Sequence, residues 1–223
     1  PRVTSLQLGD SGDTFTVPSG AEIDIASGAT LDVNGTIDVT GATTTGFPQG
    51  GLQLITSATN NSEVANWDFT DVFTSTYSVY FMTFENIYLA SANQELRLSV
   101  GNSDLSSLEN GAFVVWETYL GSAGTTYRQS SNATYCDLCD TAGTTIPISG
   151  HCYFSSPQDS TIRTTFYGTS RFYRYSQQHR MGEFMFYGDD AESHVSFRFS
   201  TSTGNLGSAS NVARVTLYGL AES

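Results

Sequence analysis

The stretch FTVPSGAEIDIASGATLDVNGTIDV, residues 15–39, is the most regular part of the chain and carries the strongest prediction for the fold of its N-terminal part. Apolar residues occur in it as pairs separated by one residue, and the pairs recur at steps of eight, eight and six residues. Ser-Gly and Asn-Gly steps between the pairs supply the positive φ that tight turns require. The pattern predicts short strands joined by tight turns, with one apolar face formed by Phe15, Val17, Ile23, Ile25, Leu31, Val33, Ile37 and Val39.

Four short strands cannot bury an apolar face by themselves, because so small a unit does not offset the entropy of ordering its own backbone. Asp24, Asp32 and Asp38 place carboxylates on the opposite, solvated face. Two arrangements would cover the apolar face: packing as the first hairpins of an ordinary sandwich, or wrapping with two identical chains. We expect the second, a trimeric β stem in which the apolar side chains meet on a common axis.

The residue composition changes after this repeat, and the regular apolar pattern ends. Residues 40–51 are small, uncharged and contain Gly and Pro, which is typical of a hinge. No later segment sustains apolar residues at helical spacing for three turns. We therefore predict an all-β fold, in which residues 13–50 form a short β-repeat stem and hinge and residues 51–223 form an antiparallel, jelly-roll-like β-sandwich head. Strand candidates recur in the head at residues 52–56, 77–84, 95–100, 112–119, 161–166, 183–187, 194–200 and 212–217.

Composition narrows the classes of partner. The 223 residues carry 22 acidic and 9 basic side chains, and the net charge is −13. Phosphate binding draws on a surplus of Lys and Arg, so nucleic acid and anionic membranes are not expected partners. No run approaches the roughly 18 apolar residues of a spanning helix, so membrane insertion is not expected either.

Six segments of the head and one of the predicted stem resemble a known family. The C-terminal part reads HVSFRFS at residues 194–200, STGNL at 202–206 and ARVTLYGL at 213–220. It resembles the closing strands of tail-fibre and related virion structural proteins of marine bacteriophages. The segments YSVYF at 77–81, FENI at 84–87 and ELRLSV at 95–100 are similar to the front strands of that head domain, and residues 20–39 to the stems of phage fibres.

This resemblance implies a homotrimeric appendage exposed on the virion. Residues 1–12 would dock on other virion proteins, with Leu6 and Leu8 as the apolar points, and the head would meet the host surface. The resemblance names no catalytic residue. The stem is shorter than that of a typical long fibre, and the insertion that carries the three cysteines has no counterpart in the family pattern.

The run from Arg163 to Met181 is the densest group of candidate binding residues, and it holds four of the nine arginines. Aromatic faces stack on sugar rings and Arg forks bind carboxylates, so the run suits host surface polysaccharide or lipopolysaccharide. The alternative is that its aromatic residues alternate into the core while its arginines pair with acidic residues. Trp116 is predicted in the core and Trp67 at a rim. The candidate glycan-binding residues are Arg171, Tyr173, Arg174, Tyr175, His179 and Trp67.

Metal sites are weaker candidates. Cys136, Cys139, His151 and Cys152 are zinc-ligand types, but adjacent His and Cys strain a closed site, and a disulfide or free thiols are the alternatives. An acidic loop at residues 189–192 falls short of the ordered oxygens that Ca²⁺ requires. No metal or cofactor is therefore expected.

No nucleophile elbow, zinc-protease motif or phosphate loop is present, so we expect no catalytic residue. The sequence thus predicts a non-enzymatic virion fibre or spike that attaches to host surface glycan. The alternatives are a structural decoration protein of the capsid or tail and a glycan-degrading spike.

Overall fold

In a computed structural model of the protein, the described residues are 51–119, 124–140, 142, 144, 146–174, 178–208 and 210–221. All of them belong to the second of the two units into which the chain divides, Pro48–Ser223. The predicted docking segment and stem, with Leu6, Leu8 and the eight apolar stem residues, lie outside the described residues, and so does Tyr175.

The described residues form twelve strands and no helix. The all-β prediction is therefore confirmed for this part of the chain, and no segment of it forms a helix that could cross a membrane. The strands are β1 Gly51–Asn60, β2 Asn66–Phe69, β3 Val79–Ile87, β4 Leu96–Gly101, β5 Gly111–Tyr119, β6 Thr125–Ala133, β7 Cys136–Asp137, β8 Ile148–Ser155, β9 Thr165–Arg174, β10 Gln178–Gly188, β11 Ser196–Thr201 and β12 Ala213–Ala221.

The strands form two antiparallel sheets, consistent with a β-sandwich. The larger sheet has eight strands in the order β1-β12-β3-β8-β9-β10-β5-β6, and the smaller has four in the order β2-β11-β4-β7. Every pairing within them is antiparallel. The chain crosses between the sheets repeatedly, so neighbouring strands are often distant in sequence.

Aromatic side chains fill the space between the sheets. Phe154 of β8 and Phe84 of β3 point inward from the large sheet, and their rings lie 5.7 Å from those of Phe197 and Phe199 of β11, respectively. Strict alternation of buried and exposed residues along β10 shows why the large sheet has one face in this core and one face in solvent.

Seven of the eight strand candidates overlap the observed strands closely. The candidate at residues 161–166 shares with β9 only the first two residues of that strand. Four strands have no candidate among those predicted from the sequence: β2, β6, β7 and β8. The polar sequence of β6 follows from its place at the sheet edge, where one backbone side and one face meet water.

The prediction that Trp116 lies in the core is wrong: this side chain is 54% exposed, because β5 directs its even-numbered residues outward.

Candidate functional site

The candidate site is the open face of the head, defined here as the side of the eight-stranded sheet that points away from the four-stranded sheet. A row of apolar side chains crosses this face from strand to strand. Each member is the direct cross-strand partner of the next. We call this set the apolar row, and it consists of Leu54, Tyr218, Phe81, Tyr153, Tyr167, Met185 and Val114, on seven successive strands.

The rings at the centre of the apolar row contact one another. Phe81 and Tyr153 lie 4.8 Å apart between ring centroids, and Tyr153 and Tyr167 stack at 5.5 Å. Such cross-strand pairs stabilise a sheet, yet they leave the outer ring faces in solvent. Tyr167 is 49% exposed and Met185 is 51% exposed. A contiguous apolar surface of this kind marks an interaction site more often than an isolated exposed residue does.

A second aromatic pair extends this surface toward the sheet edge. Trp116 and Tyr127 face each other on β5 and β6, with ring centroids 5.2 Å apart. A shallow groove of about 390 Å³ runs between Trp116 and Tyr167, and its polar lining includes His151, Thr169 and Glu183. The open face therefore combines flat ring surfaces with a few hydrogen-bonding groups.

The arginines divide into two groups. Within the described residues, Arg163, Arg171 and Arg214 form no ion pair with a carboxylate. The other five described arginines each have an acidic partner: Arg97, Arg128, Arg174, Arg180 and Arg198.

The three arginines without an acidic partner lie on or beside the open face. Arg171 and Arg214 are outward-facing residues of β9 and β12. Arg163 lies 5.4 Å from the ring centre of Tyr187 on the same face. The strands place only two carboxylates on this face in the described part of the chain, those of Glu85 and Glu183. The open face is thus less acidic than the rest of a protein with a net charge of −13.

The structure brings some of the predicted glycan-binding residues together. Arg171 and His179 line one cavity of about 340 Å³, with Asn86 and Ser149 on its polar wall. The ring of Tyr173 meets that of His179 edge-on at 4.9 Å. The β9–β10 hairpin explains this grouping, because it pairs His179 directly with Tyr173 and Met181 with Arg171.

Two other predicted residues lie elsewhere. Arg174 pairs with Asp140, with 3.2 Å between guanidinium and carboxylate atoms. Trp67 belongs to β2 of the four-stranded sheet and packs on Phe69 and Phe199. The alternative interpretation of the run is also only partly right: Phe166 and Phe172 are buried, whereas residues of odd number on β9 point to the open face.

Most members of the apolar row were missed in the sequence. β10 reads RMGEFMFYG at residues 180–188, with apolar residues at both parities in its second half. A strand with two apolar faces resembles a fully buried strand, and only its sheet position shows that one face is open. Runs of this type beside aromatic-rich partners are the signal that could have identified the row.

Within the described residues, the cysteines and His151 do not converge as a zinc site. All three cysteines are buried and unbridged. His151 and Cys152 are neighbours on β8, so their side chains point to opposite faces, and the His151 ring bonds to Thr169 on the outside. Burial raises the pKa of Cys136, Cys139 and Cys152, and the nearby Asp137 carboxylate raises that of Cys136 further. These thiols are inert core residues.

Comparison of the chain with protein-family models, with curated proteins and with solved structures finds no match.

Proposed function

We propose that the protein is a non-enzymatic attachment protein whose β-sandwich head binds host surface glycan through the open face. The observation that carries this proposal is the apolar row, with three arginines on or beside the same face that form no ion pair within the described residues. The resemblance to phage fibres extends the proposal to the whole chain as a homotrimeric virion fibre or spike, exposed on the particle and docked through its N-terminal segment.

The geometry of the apolar row suits an extended polymer. Adjacent strands lie about 4.8 Å apart, so a row on seven strands is a track of almost 30 Å that runs across the strand direction. Flat aromatic faces such as those of Tyr153 and Tyr167 stack on the apolar faces of sugar rings. A shallow, open track admits a chain at any point along its length, whereas a deep pocket would select its end.

The arginines indicate an acidic glycan. A guanidinium group binds carboxylate, sulfate or phosphate with two parallel hydrogen bonds. A protein with a net charge of −13 repels an anionic polymer, and Arg163, Arg171 and Arg214 offset this repulsion where the polymer would lie. Binding should therefore weaken as the salt concentration rises, because the groups involved are exposed to solvent.

Attachment does not require tight binding by a single head. If three heads are joined by one stem, the second and third binding events become intramolecular, and avidity exceeds the affinity of each head by orders of magnitude. A weak open track on each head is then sufficient for adhesion.

A purely structural role is the second candidate, and the apolarity of the row favours it. An exposed apolar surface on seven strands would also serve as a contact with another virion protein. In that case, decoration of a capsid or tail would be the function, and free glycan would not bind.

The test uses the full-length protein on an array of bacterial polysaccharides and lipopolysaccharides, at low and physiological salt. We expect binding of an acidic glycan, lost in Tyr167→Ala and weakened in Arg171→Ala. The matched controls are Val212→Ala, an exposed apolar residue outside the row, and Arg198→Ala, which removes the same charge from the other sheet. Binding that survives both test variants would contradict the proposed surface, and shortened glycan products would indicate a degrading spike.

A further inference from the structure

Three side chains of the types that ligate metal ions converge beside the start of β5. The ligand atoms of Glu109, Glu192 and His194 all lie within 4.8 Å of one another. No other group of three His, Cys, Asp or Glu residues comes as close in the part of the chain that the structure describes. Glu109 lies just before β5, and the other two residues lie in the segment that joins β10 to β11.

Two of the three groups are fixed inside the protein. Glu109 is 6% exposed and His194 is 2% exposed, and Glu109 Oε2 lies 3.1 Å from His194 Nε2. The other oxygen of Glu109 accepts a hydrogen bond from the backbone N–H of Asp190. Both ligand atoms therefore have set positions and do not depend on an exposed, freely rotating side chain.

The second ring nitrogen of His194 is held by a neighbour outside the group. Nδ1 lies 2.8 Å from the Oγ1 of buried Thr164. Histidine ligands of metals are oriented in the same way, by a hydrogen bond at the nitrogen that does not bind the ion. This contact turns Nε2 toward the two carboxylates.

Gly188 makes room for the Glu109 carboxylate. A Cβ atom at this position would lie 2.5 Å from Glu109 Oε1, which is closer than two such atoms can approach. The end of β10 thus leaves the space of a side chain to the carboxylate. The Thr164 contact therefore holds the His194 ring, and Gly188 leaves space for the Glu109 carboxylate.

We propose that Glu109, Glu192 and His194 bind a divalent metal ion, and that Zn²⁺ fits this set of ligands best. One imidazole and two carboxylates match the nitrogen and oxygen ligands of zinc, at about 2.0–2.2 Å from the ion. Ca²⁺ prefers six to eight oxygen ligands, and an imidazole nitrogen is a poor ligand for it. A dication also balances the charge of two carboxylates beside a neutral ring.

The distances require only a small adjustment. Ligand atoms of a tetrahedral zinc site lie about 3.4 Å apart, given the bond lengths of such sites. The buried pair of Glu109 and His194 is already at 3.1 Å, and Glu192 is exposed and can approach by side-chain rotation. The fourth position is left to water.

The proposal differs from the Ca²⁺ site considered for the acidic loop. Asp189 accepts a hydrogen bond from the Asn110 side chain, and Asp190 contributes its backbone N–H to Glu109. Of the three acidic residues of that loop, only Glu192 joins the cluster. A bound ion would fasten the segment between β10 and β11 to the start of β5.

The test uses the full-length protein stripped with a chelator and titrated with ZnCl₂ by calorimetry, with CaCl₂ in parallel. We expect one Zn²⁺ per chain, a higher melting temperature in its presence, and no comparable binding of Ca²⁺. Glu192→Gln, an exposed change that the fold tolerates, should weaken Zn²⁺ binding at least about tenfold. Glu63→Gln is the matched control, because it removes an exposed carboxylate remote in sequence from the cluster.

Equal Zn²⁺ affinity in the wild type and Glu192→Gln, or no stoichiometric binding by the wild type, would overturn the proposal. Co²⁺ substitution gives an independent measurement. Absorption bands without thiolate-to-metal charge transfer are expected, whereas a thiolate band would place the ion on the buried cysteines and reject the cluster.

Discussion

Arg180 and Glu117 form a buried ion pair on the inner face of the eight-stranded sheet, with 2.7 Å between Arg180 Nη1 and Glu117 Oε2. The Asp140 carboxylate lies 3.2 Å from the same guanidinium nitrogen. The ring centre of Tyr119 lies 4.1 Å from the guanidinium carbon of Arg180. Glu117 also accepts the backbone N–H of Asp140. The pair itself is almost completely buried, and with Asp140 it joins β5, β10 and the segment after β7.

Arg180→Met should lower the free energy of unfolding by about 3–5 kcal/mol, because it leaves the buried Glu117 carboxylate without its closest cation. Urea denaturation measures this effect. The control is Arg198→Met, whose partner Asp68 is more exposed, with an expected loss of about 0–1 kcal/mol. Equal losses in the two variants would show that burial does not decide the strength of these pairs.

Gly168→Ala should destabilise the head by about 1–3 kcal/mol or more through overpacking. The added Cβ would lie 2.0 Å from the His151 backbone oxygen and 2.8 Å from the ring of Phe184, and the backbone cannot move aside easily. Gly182→Ala is the matched control on the next strand, where the nearest atom is the Ser170 hydroxyl at 2.9 Å. Thermal denaturation should place the control much nearer the wild type, and the reverse order would contradict the packing around Phe184.

The buried thiols should make the protein less stable at alkaline pH. Burial raises the pKa of Cys136, Cys139 and Cys152, so the folded state keeps these protons to higher pH than the unfolded chain does. Stability that is present below the unfolded thiol pKa of about 8.5 is lost above it, by about 1.4 kcal/mol per pH unit for each thiol. Urea unfolding between pH 8 and 10 measures the slope.

Cys152→Ala serves as the comparison for that slope. We expect it to reduce the pH dependence by the share of one thiol, whatever its effect on stability at neutral pH. The native wild type should also resist thiol reagents that label all three cysteines in denaturant. An unchanged slope or rapid labelling of the native protein would show that the thiols reach solvent.

The two tryptophans should respond differently to acrylamide. Trp116 is 54% exposed on the open face, whereas Trp67 packs on Phe69 and Phe199. Trp116→Phe should therefore leave a protein whose fluorescence is quenched less than that of the wild type, and Trp67→Phe should have the opposite effect. Quenching that does not depend on which tryptophan remains would contradict the assignment of Trp116 to the open face.

The proposed trimeric stem predicts a solution mass three times the 24.0 kDa of one chain. Ile25→Asp should shift the mass toward that of one chain, because it would place a charge among the apolar residues on the common axis. Asp24→Asn, at a position that the sequence pattern predicts on the opposite face, should leave the mass unchanged. Multi-angle light scattering makes the measurement, and a wild-type mass of a single chain would reject the stem.

The sequence was sufficient for the fold class but not for the assignment of faces. Period-two alternation and turn residues located most strands, because these signals are local. The apolar neighbours Phe113 and Val115 favour a core position for Trp116, yet Trp116 has the opposite parity to both and points outward. The strands that were missed are polar, very short, or, as with β8, contained residues that also suit a metal site.

The candidate sites depended even more on tertiary structure. Arg171 and His179 come together because β9 and β10 pair as a hairpin, which a sequence can suggest. Glu109 and His194 are 85 residues apart, and nothing local links them. The same holds for Tyr153 and Tyr167, which are neighbours only because β8 and β9 pair in the register that they do.

Local sequence patterns and composition are enough to predict that the head is built of antiparallel strands and that the net charge of the chain is strongly negative. These properties follow from local periodicity and from composition, and no long-range contact changes them. Which apolar rings face solvent, and which acidic and imidazole groups meet, depends on the tertiary structure. Strand order and register set those neighbours, and both depend on contacts summed over the whole core.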